Sequence, residues 1–298
     1  MKFHHIFIPL FLFLSPLLFG QGSSTGSSHL KLPTNAQDAS LGQSRVASTG
    51  SLHSASLNPA TIYTTHAPQV LISHTSWIQD LQRQLIQARF PLLNGTTALA
   101  VSSFSLNGIE LREQPGAASG TFNATSAVFE AAYSTPLDES LTIGIATRYL
   151  YEKIFIDEAT GYGIDIGALY QVSLENLSVG LAVTNLGSMK AFRSVAGTLP
   201  TTVRIGAQYH YPVSDVLLTP TFAFSNETHT GVNHVHAGME GLYDNLLAVR
   251  FGYVTGYDSR GFSAGIGIHY TGIQLDYAYL PFSLGLGDAH ILSLAFQF

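Results

Sequence analysis

LTIGIATRYLYE, residues 141–152, sets Leu141, Ile143, Ile145, Thr147, Tyr149 and Tyr151 on one parity and Thr142, Gly144, Ala146, Arg148, Leu150 and Glu152 on the other. A period of two is the signature of a strand whose two faces meet different surroundings. The next segment repeats it, with Tyr162, Ile164, Ile166, Ala168 and Tyr170 against Gly163, Asp165, Gly167, Leu169 and Gln171. The pattern returns at 177–184, 203–211, 247–253, 262–270 and 273–279, and more weakly at 69–77, 81–91, 96–106, 121–134, 215–226 and 230–242. With the final segment, HILSLAFQF at 290–298, the total reaches about 14 strands, an even number inside the range of bacterial membrane barrels.

Composition says what the two surroundings are. Hydrophobic residues make up 46% of the chain and charged residues 11%, less than half the roughly 25% charge of an ordinary soluble domain. Mean hydropathy is +0.22. Yet beyond the N-terminus no stretch is apolar for the length a transmembrane helix requires. A chain apolar in total but never in long runs spreads its hydrophobicity over alternate positions, as an outer-membrane barrel does. A soluble β-sandwich or β-helix would also alternate, but its second face would carry more Lys and Glu than the Gly, Ala, Ser and Thr found here. With 13 Lys+Arg and a net charge of -6, the chain lacks the basic face that nucleic acid requires. The absence of cysteine excludes disulfides, thiolate metal sites and lipid attachment to a cysteine.

The sequence therefore predicts an all-β fold, a closed antiparallel transmembrane β-barrel over 67–298. Residues 1–21, with Lys2, the apolar run 6–19 and Gly20, read as a signal peptide; the run is too short for a membrane anchor. Residues 22–66 do not alternate and read as a segment plugging the lumen. Short turns at Leu93-Asn94-Gly95, Pro136-Leu137-Asp138, Tyr243-Asp244-Asn245 and Thr271-Gly272 alternate with longer polar connections expected at 107–120, 157–161 and 188–199. Short periplasmic turns and longer external loops have this asymmetry. Tyrosines pair at strand ends, as at Tyr149/Tyr151, Tyr209/Tyr211 and Tyr277/Tyr279, where an interfacial girdle belongs.

Several segments carry a family likeness: NAQDASLG at 35–42, the Asn58-Pro59-Ala60 turn, VTNLG at 183–187, LPTTVRIGAQY at 199–209, and LDYAYLPFSLGLGDAHILSLAFQF at 275–298. In this order the chain resembles the PorV/PorQ family, a branch of the FadL-like outer-membrane barrels. The resemblance implies a 14-stranded barrel whose N-terminal segment acts as a hatch, and a role in type IX secretion or in passage of hydrophobic small molecules. SLHSASLNPA at 51–60 departs from the acidic run common before that turn in the family.

Three groups of residues are candidates for function. Arg148, Asp165, Arg204, Arg250 and Asp276 fall on the small and polar parity. On the lipid face a midplane Arg would cost about 2 to 4 kcal/mol, so these charges are expected inside, pairing with one another or pinning the plug. Leu292, Leu294, Phe296 and Phe298 resemble the C-terminal signal read by barrel assembly machinery. The turn Asn58, Pro59, Ala60 is restricted by its proline. His234, His236 and Glu240 share a strand face that would suit zinc only with a further ligand, and a polar lumen face accounts for them. SHTSW at 73–77 suggests a Ser/His pair, but spacing supplies no acid or oxyanion hole. Asn94, Asn123, Asn176 and Asn226 begin N-x-[ST] matches that read as turn residues. The expectation is a non-enzymatic protein without cofactor in the outer membrane of a Gram-negative bacterium. Its expected contacts are membrane lipid, assembly machinery, and secretion components or hydrophobic small molecules; a surface enzyme is the distant rival.

Overall fold

The structure, a computed structural model, describes the chain from Gly26 onward apart from positions 66, 67, 113, 115, 117, 174, 175 and 191–196; the expected signal peptide lies outside the described residues. Fourteen antiparallel columns close on themselves. In chain order they are β1 Gln69–Ser76, β2 Gln82–Leu92, β3 Gly95–Leu111, β4 Gly120–Pro136, β5 Leu141–Ile154, β6 Asp157–Gln171 and β7 Leu177–Met189. There follow β8 Thr202–Tyr209, β9 Val216–Glu227, β10 Asn233–Tyr243, β11 Leu247–Val254, β12 Phe262–Tyr270, β13 Ile273–Pro281 and β14 Asp288–Gln297. Gly197–Thr198, beside β7, and Tyr211–Val213, beside β9, extend the column of β8. Among the described residues no helix is long and apolar enough to cross a membrane.

Closure is made by β14 on β1, in register from Gln69 opposite Gln297 to Ser76 opposite His290. Closure leaves the described wall without a free edge, so its backbone N–H and C=O groups are satisfied by neighbouring strands or, at a bulge, by side chains, as hydrocarbon demands. The C-terminal strand is tied between β13 and β1, and the Phe298 N–H donates to the Pro68 carbonyl at 3.0 Å.

Side-chain parity follows the sequence. Ile145, Ile166 and Phe251 are 48%, 52% and 51% exposed on the outer face, whereas their neighbours Ala146, Asp165 and Arg250 are at most 1% exposed. Ile145 faces Ile166 across adjacent strands, so one apolar band is built pair by pair. Near its edge Tyr149 and Tyr162 lie 5.4 Å apart, ring to ring. The short turns sit together at one end, taken as periplasmic. At Thr271-Gly272 both residues have positive φ, 43° and 81°, the geometry that matches a two-residue turn to strand twist.

The long connections differ from expectation. β3 continues to Leu111 and β4 restarts at Gly120, with a bulge between Leu106 and Ile109. The Asn107-Gly108 pair that reads as a loop is that bulge, and the Gly108 N–H donates to Asn123 Oδ1 at 3.1 Å. β6 begins at Asp157 rather than after Gly161, leaving only Phe155-Ile156 as the turn. Polar residues extend this hairpin above the membrane, where Lys153 pairs with Glu158 at 2.9 Å. β7 likewise runs to Met189. The wall is therefore tallest over β3 to β6, because in water a strand can continue without apolar alternation.

Candidate functional site: a filled lumen

The segment preceding β1 threads the barrel from one end to the other. Its Gly26 N–H donates to the Thr198 carbonyl, 3.1 Å, at the end bearing the longer connections. Its Thr64 exchanges two hydrogen bonds with Thr96, beside the first short turn. Between them lie a 3-10 turn at Ser28–Lys31, the helix α1 Ala36–Ser40 and a 3-10 turn at Pro59–Ile62. Asn35 caps α1 by accepting from the Asp38 N–H at 3.1 Å, and Asn58 caps the second 3-10 turn by accepting from the Ala60 N–H at 2.9 Å, each satisfying a donor that a helix start leaves free.

Wall strands all round the circumference hold this segment. Ala36 N–H donates to Ser293 Oγ (2.9 Å) on β14, Ser263 Oγ donates to the Ser40 carbonyl (3.1 Å) from β12, and Ser44 and Thr221 share a 2.5 Å hydrogen bond at β9. Ser178 on β7 donates to the Ala47 carbonyl (2.7 Å), Asn58 Nδ2 to the Ala168 carbonyl of β6 (3.0 Å), and Ser134 on β4 to the Ala60 carbonyl (3.2 Å). An irregular chain inside a barrel has few backbone partners of its own, and the wall's Ser and Thr hydroxyls supply them. Apolar plug residues Leu52, Ala55 and Ile62 pack with wall residues Leu71, Leu85, Ala98 and Ala146.

Close approach depends on glycines at inward positions. A Cβ on Gly167 would lie 1.9 Å from Asn58 Oδ1, and one on Gly180 would lie 2.2 Å from the Val46 carbonyl. The expected Asn58-Pro59-Ala60 turn thus rests against bare backbone of β5 and β6, where Gly144 and Gly167 are paired across strands.

The expected inward charges form two clusters and one outlier. Arg148 donates from Nε to Glu130 at 2.6 Å and also contacts Asp165 and Asn185. Asn185 lies at a bulge with φ 60° and turns its N–H onto Asp165 Oδ1 at 2.7 Å. Arg250 donates to Asp276 at 2.6 Å and to Glu240, while Gln274 donates to the second Asp276 oxygen at 2.7 Å. Arg204 instead donates to Thr184 Oγ1 at 3.0 Å. Among the described residues, arginine contacts from the wall strands to the plug come from two residues outside the expected set. Arg83 donates to the Leu32 and Pro33 carbonyls at 3.4 and 3.3 Å, and Arg89 to the Gly50 carbonyl at 2.6 Å. Both lie on the buried parity of β2; the signal was the parity of 81–91, blurred because Leu85 shares it.

Asp38, inside the plug, is fully buried and its pKa is pushed up to about 7 by desolvation, against the opposing pull of Arg45, Ser54, Asn35 and Arg204. Above its ordinary pKa the unfolded chain has lost this proton while the folded chain keeps it. Stability from this group is therefore expected to fall as pH rises from about 4 to about 7 and then to level off, by on the order of 4 kcal/mol if the whole shift is expressed. Asp38→Asn should flatten that slope in urea titrations of the vesicle-embedded barrel; an unchanged slope sets the idea aside.

Other candidates are drawn apart or occupied. His236 contacts the Gly42 carbonyl (2.7 Å) and Ser225 (2.9 Å), His234 contacts the Thr255 carbonyl (2.9 Å), and Glu240 belongs to Arg250. These two histidines fasten plug and loop. Ser73 is buried and hydrogen-bonds Ser293 at 2.9 Å, whereas His74 on the opposite parity is exposed, so they form no nucleophilic pair. Asn94 lies in a turn, and Asn226 donates to Asn233 Oδ1 at 2.8 Å beside the β9–β10 connection. Leu292 and Phe298 are exposed, and Leu294 and Phe296 half-buried, along the outer face of the closing strand.

Among solved structures, the CymD monoaromatic hydrocarbon channel superposes with a TM-score of 0.61 at 12% identity, covering 89% of this chain and 97% of that one. The Pseudomonas putida toluene transporter TodX does so with a TM-score of 0.61 at 9% identity, covering 88% and 96%. At these identities the likeness is one of fold, that of an outer-membrane β-barrel. No curated protein sequence matches the chain. The family described as type IX secretion system protein PorV matches residues 21–221, the greater part of the sequence, and with the barrel, its inward charges and its threaded lumen now in view, the chain belongs to the PorV family.

Proposed function

We propose that the protein is a non-enzymatic accessory of type IX secretion in the outer membrane of a Gram-negative bacterium, acting as a closed platform rather than as an open pore. The observation that carries this reading is the occupied lumen: Asn35, Asp38, Leu52, Ser54, Asn58 and Ile62 are inaccessible to solvent, and the segment bearing them is bonded to wall strands all round it. An irregular chain held at both ends and along its length leaves little passage for solute. Membrane lipid and assembly machinery acting on the last strand are its general partners, and exported proteins or secretion components its specific ones.

A second reading, a conduit for hydrophobic small molecules, is favoured by one feature. On the hydrocarbon side of Gly144 and Gly167 lies an apolar groove of about 470 Å³, lined by Ile143, Ile145, Ile166 and Leu181. A deletion strain separates the two. Export of type IX cargo is expected to stop while uptake of a hydrophobic dye is unchanged; continued export with slowed uptake overturns the platform reading in favour of the conduit.

A further inference from the structure

Three connections meet over the extracellular end of the plug, and one arginine joins them. The connection after β1 brings Trp77, the β11–β12 connection brings Tyr257 and Arg260, and the β13–β14 connection brings Phe282. The Arg260 guanidinium lies over the Tyr257 ring at 4.3 Å and toward the Trp77 ring at 5.9 Å. Trp77 meets Phe282 edge-on at 5.3 Å, and Tyr257 stacks on His234 at 4.1 Å with an interplanar angle of 14°. The backbone ties the same elements, through an Arg260–Phe282 bridge and a 2.9 Å hydrogen bond from the Ser283 N–H to the Ser259 carbonyl. Beneath the stack, Arg260 donates to Gln43 Oε1 of the plug at 3.3 Å.

Arg260 is held differently from Arg148 and Arg250. Like Arg83, Arg89 and Arg204 it is buried with an Nε that has no acceptor among the described residues, but where Arg83 lies over one ring, Phe104, Arg260 lies near two. Arg148 and Arg250 each meet two carboxylates. Among the described residues Arg260 has no carboxylate partner, its Nε has no acceptor, and it is buried all the same. A guanidinium near two rings is retained by quadrupole attraction, which weakens with separation faster than the attraction of an ion pair does, so that once displaced it exerts little pull back. Such a contact suits a part that opens.

We propose that these connections form a lid over α1 and that Arg260, clasped between Tyr257 and Trp77 and reaching down to Gln43, is its latch. While the latch holds, the plug surface around Ala39 is hidden from the cell exterior; its release uncovers that surface without unthreading the plug.

The chain has no cysteine, so Ala39→Cys gives a single reporter at a buried position of α1, packed with Trp77 and Leu280. Labelling by a membrane-impermeant maleimide added to intact cells is expected to be slow in this variant. It should be about tenfold faster when Arg260→Ala or Tyr257→Ala is added, the change that loss of one desolvated cation–π contact allows, with Arg260→Lys between them. Heat-modifiable migration verifies that each barrel is folded. If either folded variant labels no faster than the Ala39→Cys parent, the latch is disproved; Tyr257→Ala keeps the test open should Arg260→Ala fail to assemble.

Discussion

Arg250→Ala is expected to lower the stability of the barrel by about 3 to 5 kcal/mol, the cost of removing one partner from a buried ionic cluster. Glu240 stands directly opposite Arg250 across β10 and β11. Asp276 lies two strands away on β13 and is reached because Gly267 on the intervening β12 has no side chain in the path; a Cβ there would lie 2.3 Å from Asp276 Oδ1 and 2.8 Å from an Arg250 amino nitrogen. Alanine would leave two carboxylates, Asp276 buried and Glu240 mostly so, without their shared guanidinium. The loss should appear as a lower urea midpoint for the vesicle-embedded protein. It should be largely recovered in Arg250→Met/Glu240→Gln/Asp276→Asn, because replacing every charge together avoids the orphaned ones. A cost below about 1 kcal/mol for Arg250→Ala would mean that the cluster is hydrated and contributes no more than a surface pair.

Gly167→Val should cost a comparable amount for a different reason. The new side chain would occupy the place of Asn58 Oδ1, and Asn58 uses that side chain to join Ala60 N–H, the Val46 carbonyl and the Ala168 carbonyl at 2.9, 2.8 and 3.0 Å. Overpacking of about 1 to 3 kcal/mol would be added to the loss of two or three buried hydrogen bonds worth about 1 kcal/mol each. The barrel should still form, since its outer face and ladder are untouched, but the plug should become cleavable by protease near residue 58. Ala168→Val, one position along on the outer face, should be close to neutral. Equal effects from the two substitutions would show that the strand and not the plug contact is sensitive.

Much of the wall was legible from alternation. In hydrocarbon a charge is so costly that parity alone sends Arg148, Asp165, Arg250 and Asp276 inward, and they are buried there. The height of β3 to β6 was not legible, because above the membrane the second face loses its apolar requirement: Asp157-Glu158 looks like loop while pairing as strand, and Asn107-Gly108 looks like loop while being a bulge inside one. Partner choice was also hidden. Period two says which face a side chain takes but not which strand or plug carbonyl lies across the lumen, so the contacts of Arg83 and Arg89 with the plug had no local signature. Asn58-Pro59-Ala60 announced a turn, yet nothing near it named Gly167 as the surface it rests on.

The sequence by itself determined a closed cylinder, its inward and outward faces, and a non-alternating segment before the first strand; these follow from one-dimensional periodicity and from the cost of placing charge or unpaired backbone in lipid. Only the tertiary structure decided the path of that segment, its contacts with the glycine-lined wall, and the meeting of Trp77, Tyr257 and Arg260 above it. Those contacts join residues far apart in the chain, and closure of the barrel is what brings them together.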